Sequence, residues 1–286
     1  MQNEVLRGLL GTGVLRATPV SGGDINDAWR LALEDGTQAF MKANRSAPVG
    51  FFRAEAEGLD ALRDTGAIRV PRVLAVGEDK GEGACLVLEW VECAPRQGDF
   101  WERFGRGLAE MHRAPAPARF GWARDNYIGS SPQANAWCDR WVDFFRDCRL
   151  APQFRRAQSC FDAAGRRQFD RLLDHLGDHL VEPGRPSLLH GDLWSGNFIT
   201  GPDGQAWLID PAAYAGHAEA DLAMTELFGG FHRRFYDAYR EVNPLQPGYA
   251  RRRDLYNLYH LLNHLNLFGG GYLAPVRRIL DAFTGR

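Results

Sequence analysis

The chain has 286 residues, 45% of them hydrophobic and 24% charged, and a formal net charge of −2. This is ordinary globular composition, with enough length for one large domain or two coupled lobes. The charge gives no reason to expect a nucleic-acid partner, and no apolar run reaches the ~18 residues of a membrane span.

The N-terminal MQNEVLRGLLGTG lacks the basic start and apolar core of a signal peptide. Five cysteines (Cys85, Cys93, Cys138, Cys148, Cys160) form no Cys-x-x-Cys pair and are odd in number. They read as reduced thiols of a cytoplasmic protein without structural zinc. The run Arg251-Arg252-Arg253 reads as a solvated face.

In chain order, Ser21-Gly22-Gly23-Asp24-Ile25-Asn26 comes first, just ahead of a hairpin, where a phosphate loop would sit. Adjacent glycines let backbone N–H groups approach phosphate oxygens. The segment matches neither Walker A nor GxGxxG, and Ser-Gly-Gly turns are common. Strands at 28–33 and 37–43 flank Glu-Asp-Gly, a hairpin signal, and Lys42 follows the apolar pair Phe40-Met41 on the second. Helical spacing over 51–63 puts Phe52, Ala56, Leu59 and Leu62 on one face. Glu55 lies beside that face and is preferred to Glu57 as a partner for Lys42. Strands follow at 73–77 and 85–91. The pattern then turns helical at 99–112, 137–149, 166–180, 220–240 and 251–268.

The exception to that helical half is 188–211, LLHGDLWSGNFITGPDGQAWLIDP. Short apolar runs at 198–200 and 206–209 are separated by Gly-Pro-Asp-Gly, a turn signal. Pairing them antiparallel brings Asn197 and Asp210 to one end of the hairpin, with Asp192 one loop away. Phosphoryl transfer needs those parts: a carboxylate for the proton of an attacking hydroxyl, and oxygen ligands for Mg²⁺. The expected fold class is therefore α+β, a bilobal protein-kinase-like fold. It has a small β-rich nucleotide-binding lobe at 1–90 and a larger, mainly helical catalytic lobe at 91–286. In it Lys42 would meet the ATP phosphates, held by Glu55. By fold analogy, adenine would lie against 86–91, at the carbonyl of Glu89 and the N–H of Val91.

The residues around this core are narrower than a general kinase pattern. HGDLWSGN (190–197) and IDPAAYAGHAEADLAM (209–224) resemble the fructosamine-3-kinase, or ketosamine-3-kinase, family. So do DNYIGSSPQANAWCDRWVDFFRDCRL (125–150), YNLYHLLNHLNLFGGGY (256–272), FMKAN around Lys42 and FFRAEAEGLDAL around Glu55. The resemblance covers about 19–272 and implies ATP- and Mg²⁺-dependent phosphorylation of the 3-hydroxyl of a ketoamine, the adduct of a sugar and an amine. The product sheds its sugar and frees the amine, so deglycation of small or protein-bound amines is the implied role. Some members switch through a cysteine in the phosphate loop; Gly22-Gly23-Asp24 contains none, and that switch is not expected here.

Residue roles follow. Asp192 is expected to take the hydroxyl proton, Asn197 and Asp210 to hold Mg²⁺, and Lys42 to orient the phosphates. His190 is expected to brace the loop through backbone. Asp221 is open between bracing that loop and capping a helix. Trp194, inside the catalytic loop, is a candidate substrate contact, with Asn126 and Tyr127 on an acceptor-side loop and Asn263 and His264 on the last helix. The resemblance favours a substrate-side role for His217 and Glu219, on which the bare sequence is neutral. Trp137 and Trp141, four apart, are expected to pack the core. His260 and His264 have metal-pair spacing but no HExxH glutamate, so zinc is not expected. Two alternatives stay open: a kinase for another small hydroxyl compound, such as an aminoglycoside or amino alcohol, and a nucleotide-binding pseudokinase. The presence of all five core residues argues against the second.

Overall fold

The computed structural model describes residues 3–20, 26–79 and 83–285, so the Gly22-Gly23 pair lies outside the described residues. The described residues of the first ninety build one sheet and two helices. In order they are α1 (Asn3–Leu10), β1 (Val14–Pro19), β2 (Asp27–Leu33), β3 (Gln38–Asn44), α2 (Phe51–Asp64), β4 (Val73–Asp79) and β5 (Gly83–Glu89). The strands run antiparallel in the order β1-β2-β3-β5-β4. Period-two alternation divides their side chains. Leu31, Leu33, Met41 and Val87 bury one face with Leu6 of α1. Leu86 and Leu88 turn to the other face, against Phe52, Leu59 and Leu62 of α2.

The rest is mainly helical. After α3 (Phe100–Arg113) comes a hairpin of β6 (Asn126–Ile128) and β7 (Ser131–Gln133). Then α4 (Trp141–Phe144) runs through a π turn, Phe145–Leu150, into α5 (Ala151–Ala157), followed by α6 (Ala163–Asp174). Four three-residue strands form two pairs: β8 (Ser187–Leu189) with β11 (Tyr214–Gly216), and β9 (Phe198–Thr200) with β10 (Ala206–Leu208). The chain closes with α7 (Ala218–Leu227), α8 (Arg233–Val242), α9 (Tyr249–Phe268) and α10 (Leu273–Thr284). No helix among the described residues is long and apolar enough to cross a membrane.

Two packing facts position the site. First, α2 and β5 share a core with α3 and the short strands: Phe52 and Leu88 belong to one apolar cluster with Phe104, Leu193, Phe198 and Phe235. Second, α3 lies tight against α8, because a Cβ on Gly105 would stand 2.2 Å from the Phe235 carbonyl oxygen.

Three expectations need correction. The stretch 220–240 is not one helix: Gly229 and Gly230 take φ of 72° and 93°, which break the helix between α7 and α8. Trp137 is not on a helix; it precedes α4 and is 37% exposed, whereas Trp141 is fully buried. The arginine run is not a solvated face throughout, since Arg252 is buried on α9.

Candidate active site

Lys42 sits on β3 opposite Leu86, and its ammonium bonds Glu55 Oε1 of α2 at 2.6 Å and also pairs with Asp210. Burial by itself would lower the Lys42 pKa. The carboxylates of Asp210 and Glu55 outweigh it and hold that pKa well above the ordinary lysine value. Glu57 points elsewhere and pairs with Arg124 at 3.2 Å, which decides between the two glutamates.

The loop after β8 is shaped by backbone constraint. Gly191 has φ 84°, and a Cβ there would meet the Ala212 carbonyl oxygen at 2.1 Å, so no other residue fits unstrained. Asp221 on α7 anchors the loop: its oxygens accept from His190 N at 2.6 Å and Gly191 N at 2.8 Å. It also faces His112 Nε2 of α3 at 3.2 Å, while His112 Nδ1 meets the Tyr239 hydroxyl at 2.8 Å. Burial pushes the Asp221 pKa upward, but the His112 hydrogen bond and the backbone donors outweigh it and keep the carboxyl below its usual range. His190 Nε2 lies 2.9 Å from the Ile209 carbonyl, and burial lowers its pKa, so the ring is neutral and braces the loop.

Asp192 comes next. Asn197 Nδ2 donates to its carbonyl at 2.8 Å and to its carboxylate at 3.1 Å. Burial pushes the Asp192 pKa up to about 7, with Asn197 opposing and the charge of Asp210 adding. Across the hairpin Ile209 N bonds Asn197 O at 3.0 Å, which leaves Asn197 and Asp210 at one end. Asp210 has φ 58°, the one positive φ at a non-glycine among the described residues. A left-handed residue at this point turns the chain abruptly and aims the carboxylate back into the site.

Lys42, Asp192, Asn197 and Asp210 line one cleft of about 700 Å³. Its lining includes the apolar Val20, Ala28, Leu88 and Ile209 together with Glu89 and Val91. Tyr127, Trp194, Asn263, His264 and Phe268 line it as well. The donor set suits a hard divalent cation: Asn197 spends its N–H groups on Asp192 and keeps its oxygen, and Asp210 adds a carboxylate.

The sequence model of the fructosamine kinase family matches residues 3–285. This chain belongs to the fructosamine kinase family. It is 47% identical over 266 residues to a protein of Synechocystis sp. assigned as a ketoamine kinase, covering 91% of this chain and 88% of that one. It is 40% identical over 278 residues to the chloroplastic protein-ribulosamine 3-kinase of Arabidopsis thaliana, covering 95% and 83%. A crystal structure from Thermobifida fusca, assigned as a fructosamine-3-kinase, superposes with a TM-score of 0.88 at 37% identity, over 98% of this chain and 97% of the other. An aminoglycoside phosphotransferase mutant held with AMP-PNP and hygromycin B shares the fold alone, with a TM-score of 0.69 and 16% identity over 99% of both chains. The bilobal protein-kinase-like reading therefore holds, and this fructosamine kinase family member is a phosphotransferase.

Two expected substrate residues of this kinase are elsewhere. His217 and Glu219 are buried in the helical lobe, outside the cleft. Glu219 is gripped by Arg252 of α9 at 2.7 and 2.8 Å, and His217 caps α7 by accepting from Glu219 N at 3.2 Å. Their proximity in sequence to Asp210 is consumed by β11, which carries the chain back into the core. Asn126 borders the cleft, but its amide is committed: it donates to Ala213 O at 2.9 Å and accepts from Gln133 and Asn135 at 2.8 and 2.7 Å. Tyr127 packs on Phe51, and Trp194, 37% exposed, meets the edge of Phe228. Asn263 accepts from Gln153 at 3.1 Å, and His264 Nδ1 donates to His260 O at 2.8 Å. Sequence reading missed His112 and Phe51. A histidine on the apolar face of α3 is the signal for the first; nothing local marks the second.

Proposed function

We propose that this kinase transfers the γ-phosphoryl group of ATP to the 3-hydroxyl of a ketosamine, of ribulosamine, fructosamine or erythrulosamine type, and so releases the amine. The observation that carries the reading is the convergence of Lys42–Glu55, Asp192–Asn197 and Asp210 on one cleft, in a chain of this family. The acceptor class is carried over from relatives named as ketoamine and ribulosamine kinases.

In this reading Lys42 fixes the α and β phosphates while Glu55 fixes Lys42, and Asn197 and Asp210 would hold Mg²⁺. The bound ion would neutralise charge on the transferring group. Asp192 accepts the proton of the attacking hydroxyl, and a carboxyl pushed up to about 7 suits a base that must take and then return a proton. His190, His112 and Asp221 hold that base in place. Adenine would lie against the apolar Val20, Ala28 and Leu88, and the sugar near Trp194 and His264, all of which line the cleft. A cytoplasmic location suits a repair enzyme of this kind.

The test is Mg²⁺-dependent ADP release with ribulose-lysine, fructose-lysine and kanamycin. Turnover on a ketoamine and none on kanamycin is expected. Turnover on kanamycin alone would leave a phosphotransferase with a different acceptor.

A further inference from the structure

Spacing gives no reason to pair any two of the five cysteines, yet the fold brings two of them together. Cys138 lies in the segment that bridges to Phe120, with Cys138 N bonding Phe120 O at 2.8 Å and Phe120 N bonding Cys138 O at 2.9 Å. Cys148 lies in the π turn that follows α4. Both thiols point at one acceptor, the Ala136 carbonyl, at 3.7 and 3.9 Å, so the two sulfurs are neighbours around a single oxygen. The π turn makes this possible. Its extra residue per turn shifts Cys148 around the helix towards the 134–138 segment. The two thiols differ in access, since Cys138 is partly exposed and Cys148 is buried.

We propose that Cys138 and Cys148 form an intramolecular disulfide under a two-electron oxidant such as hydrogen peroxide. The partly exposed Cys138 sulfur, losing its proton, attacks one peroxide oxygen; the O–O bond breaks, giving a sulfenic acid and one water. The Cys148 sulfur then attacks the sulfenic sulfur, the S–S bond forms, and a second water leaves. Two thiols are oxidised and one peroxide is reduced to two waters. Burial raises both thiol pKa values, Cys148 to about 11, with Asp147 and Asp143 adding at Cys138 and Arg119 opposing there. Both are therefore mainly protonated at neutral pH, and the first step draws on the small thiolate fraction of the more accessible Cys138.

The place of the pair gives the bond a consequence. Cys148 precedes Arg149, whose guanidinium is buried and donates to Ala134 O at 2.5 Å and Asn135 Oδ1 at 2.8 Å. Asn135 in turn holds Asn126 at the wall of the cleft. A covalent tie from Cys138 to Cys148 closes this segment onto the helix and stiffens the β6–β7 hairpin on the acceptor side.

The experiment is non-reducing peptide mapping of the whole enzyme after graded peroxide, with a thermal melt on each sample. The account expects a Cys138–Cys148 linked peptide, a loss of two hydrogens from the intact mass, and a rise in melting temperature reversed by dithiothreitol. The linked peptide should vanish in Cys138→Ser and in Cys148→Ser. The idea is overturned if peroxide converts exposed Cys93 or Cys160 to higher oxides while Cys138 and Cys148 stay thiols. It is overturned equally if either is found joined to a different cysteine. The wild-type map decides this even if a variant does not fold.

Discussion

Asp192 is a half-buried carboxylate whose side-chain partner is an amide, Asn197, while Lys42 is engaged with Glu55 and Asp210. An arrangement that leaves a carboxyl half-protonated near neutrality suits a base better than a structural anchor. Asp192→Asn should lower kcat by about 10³-fold and leave ATP affinity within a few-fold, as read by ADP release and by calorimetry with ATP. Asp221→Asn should act differently. Its amide can accept only one of the two backbone N–H groups that the carboxylate takes, so about 3 kcal/mol of stability should go together with kcat, in urea melts and turnover. At this scale the convergence of Asp192, Asn197 and Asp210 on the cleft was legible because a hairpin explains their spacing. His217 and Glu219 were not. Glu219 is claimed by Arg252, 33 residues away, and no local pattern announces that partner.

At the scale of elements, that same pair supplies the next prediction. Arg252 on α9 and Glu219 on α7 form a fork-to-fork ion pair with side chains 5% and 2% exposed. Removing one partner strands a buried charge, so Arg252→Met should cost about 3–5 kcal/mol in chemical denaturation. KM for ATP and for the acceptor should stay within about twofold at a permissive temperature, because neither residue touches the cleft. A large KM effect would restore the substrate role that the family resemblance favours for Glu219. The strands and α2 were readable from period and turn signals. The break between α7 and α8 is marked only by Gly229 and Gly230, and the helical pattern on either side masks it. The π turn has no sequence signature at all, and it is what places Cys148 and Arg149.

For the whole molecule, the two lobes share apolar packing from α2 and β5 through α3 to the short strands of the helical lobe. The change from strand to helical pattern near residue 90 made two lobes legible. Their common core depends on contacts far apart in sequence and could not be read. Burial also lowers His217 and His260 to about 3, helped by Arg252 at the first and His264 at the second. The unfolded chain titrates its histidines near 6.5, so below that pH it binds more protons than the fold does. Stability should be fully present above pH 6.5 and fall as pH drops towards 3, by up to about 1.4 kcal/mol per unit for each histidine. Thermal melts from pH 7 to 4.5 check this, and His260→Gln should flatten the slope by one proton.

The measurement closest to the central claim is ³¹P NMR of ribulose-lysine treated with ATP, Mg²⁺ and the enzyme. The account predicts a new phosphate ester coupled to the proton on sugar carbon 3, followed by free lysine as that product decays, and neither signal with Asp192→Asn. An ester at another hydroxyl, or ADP formed without any phosphorylated sugar, would contradict it.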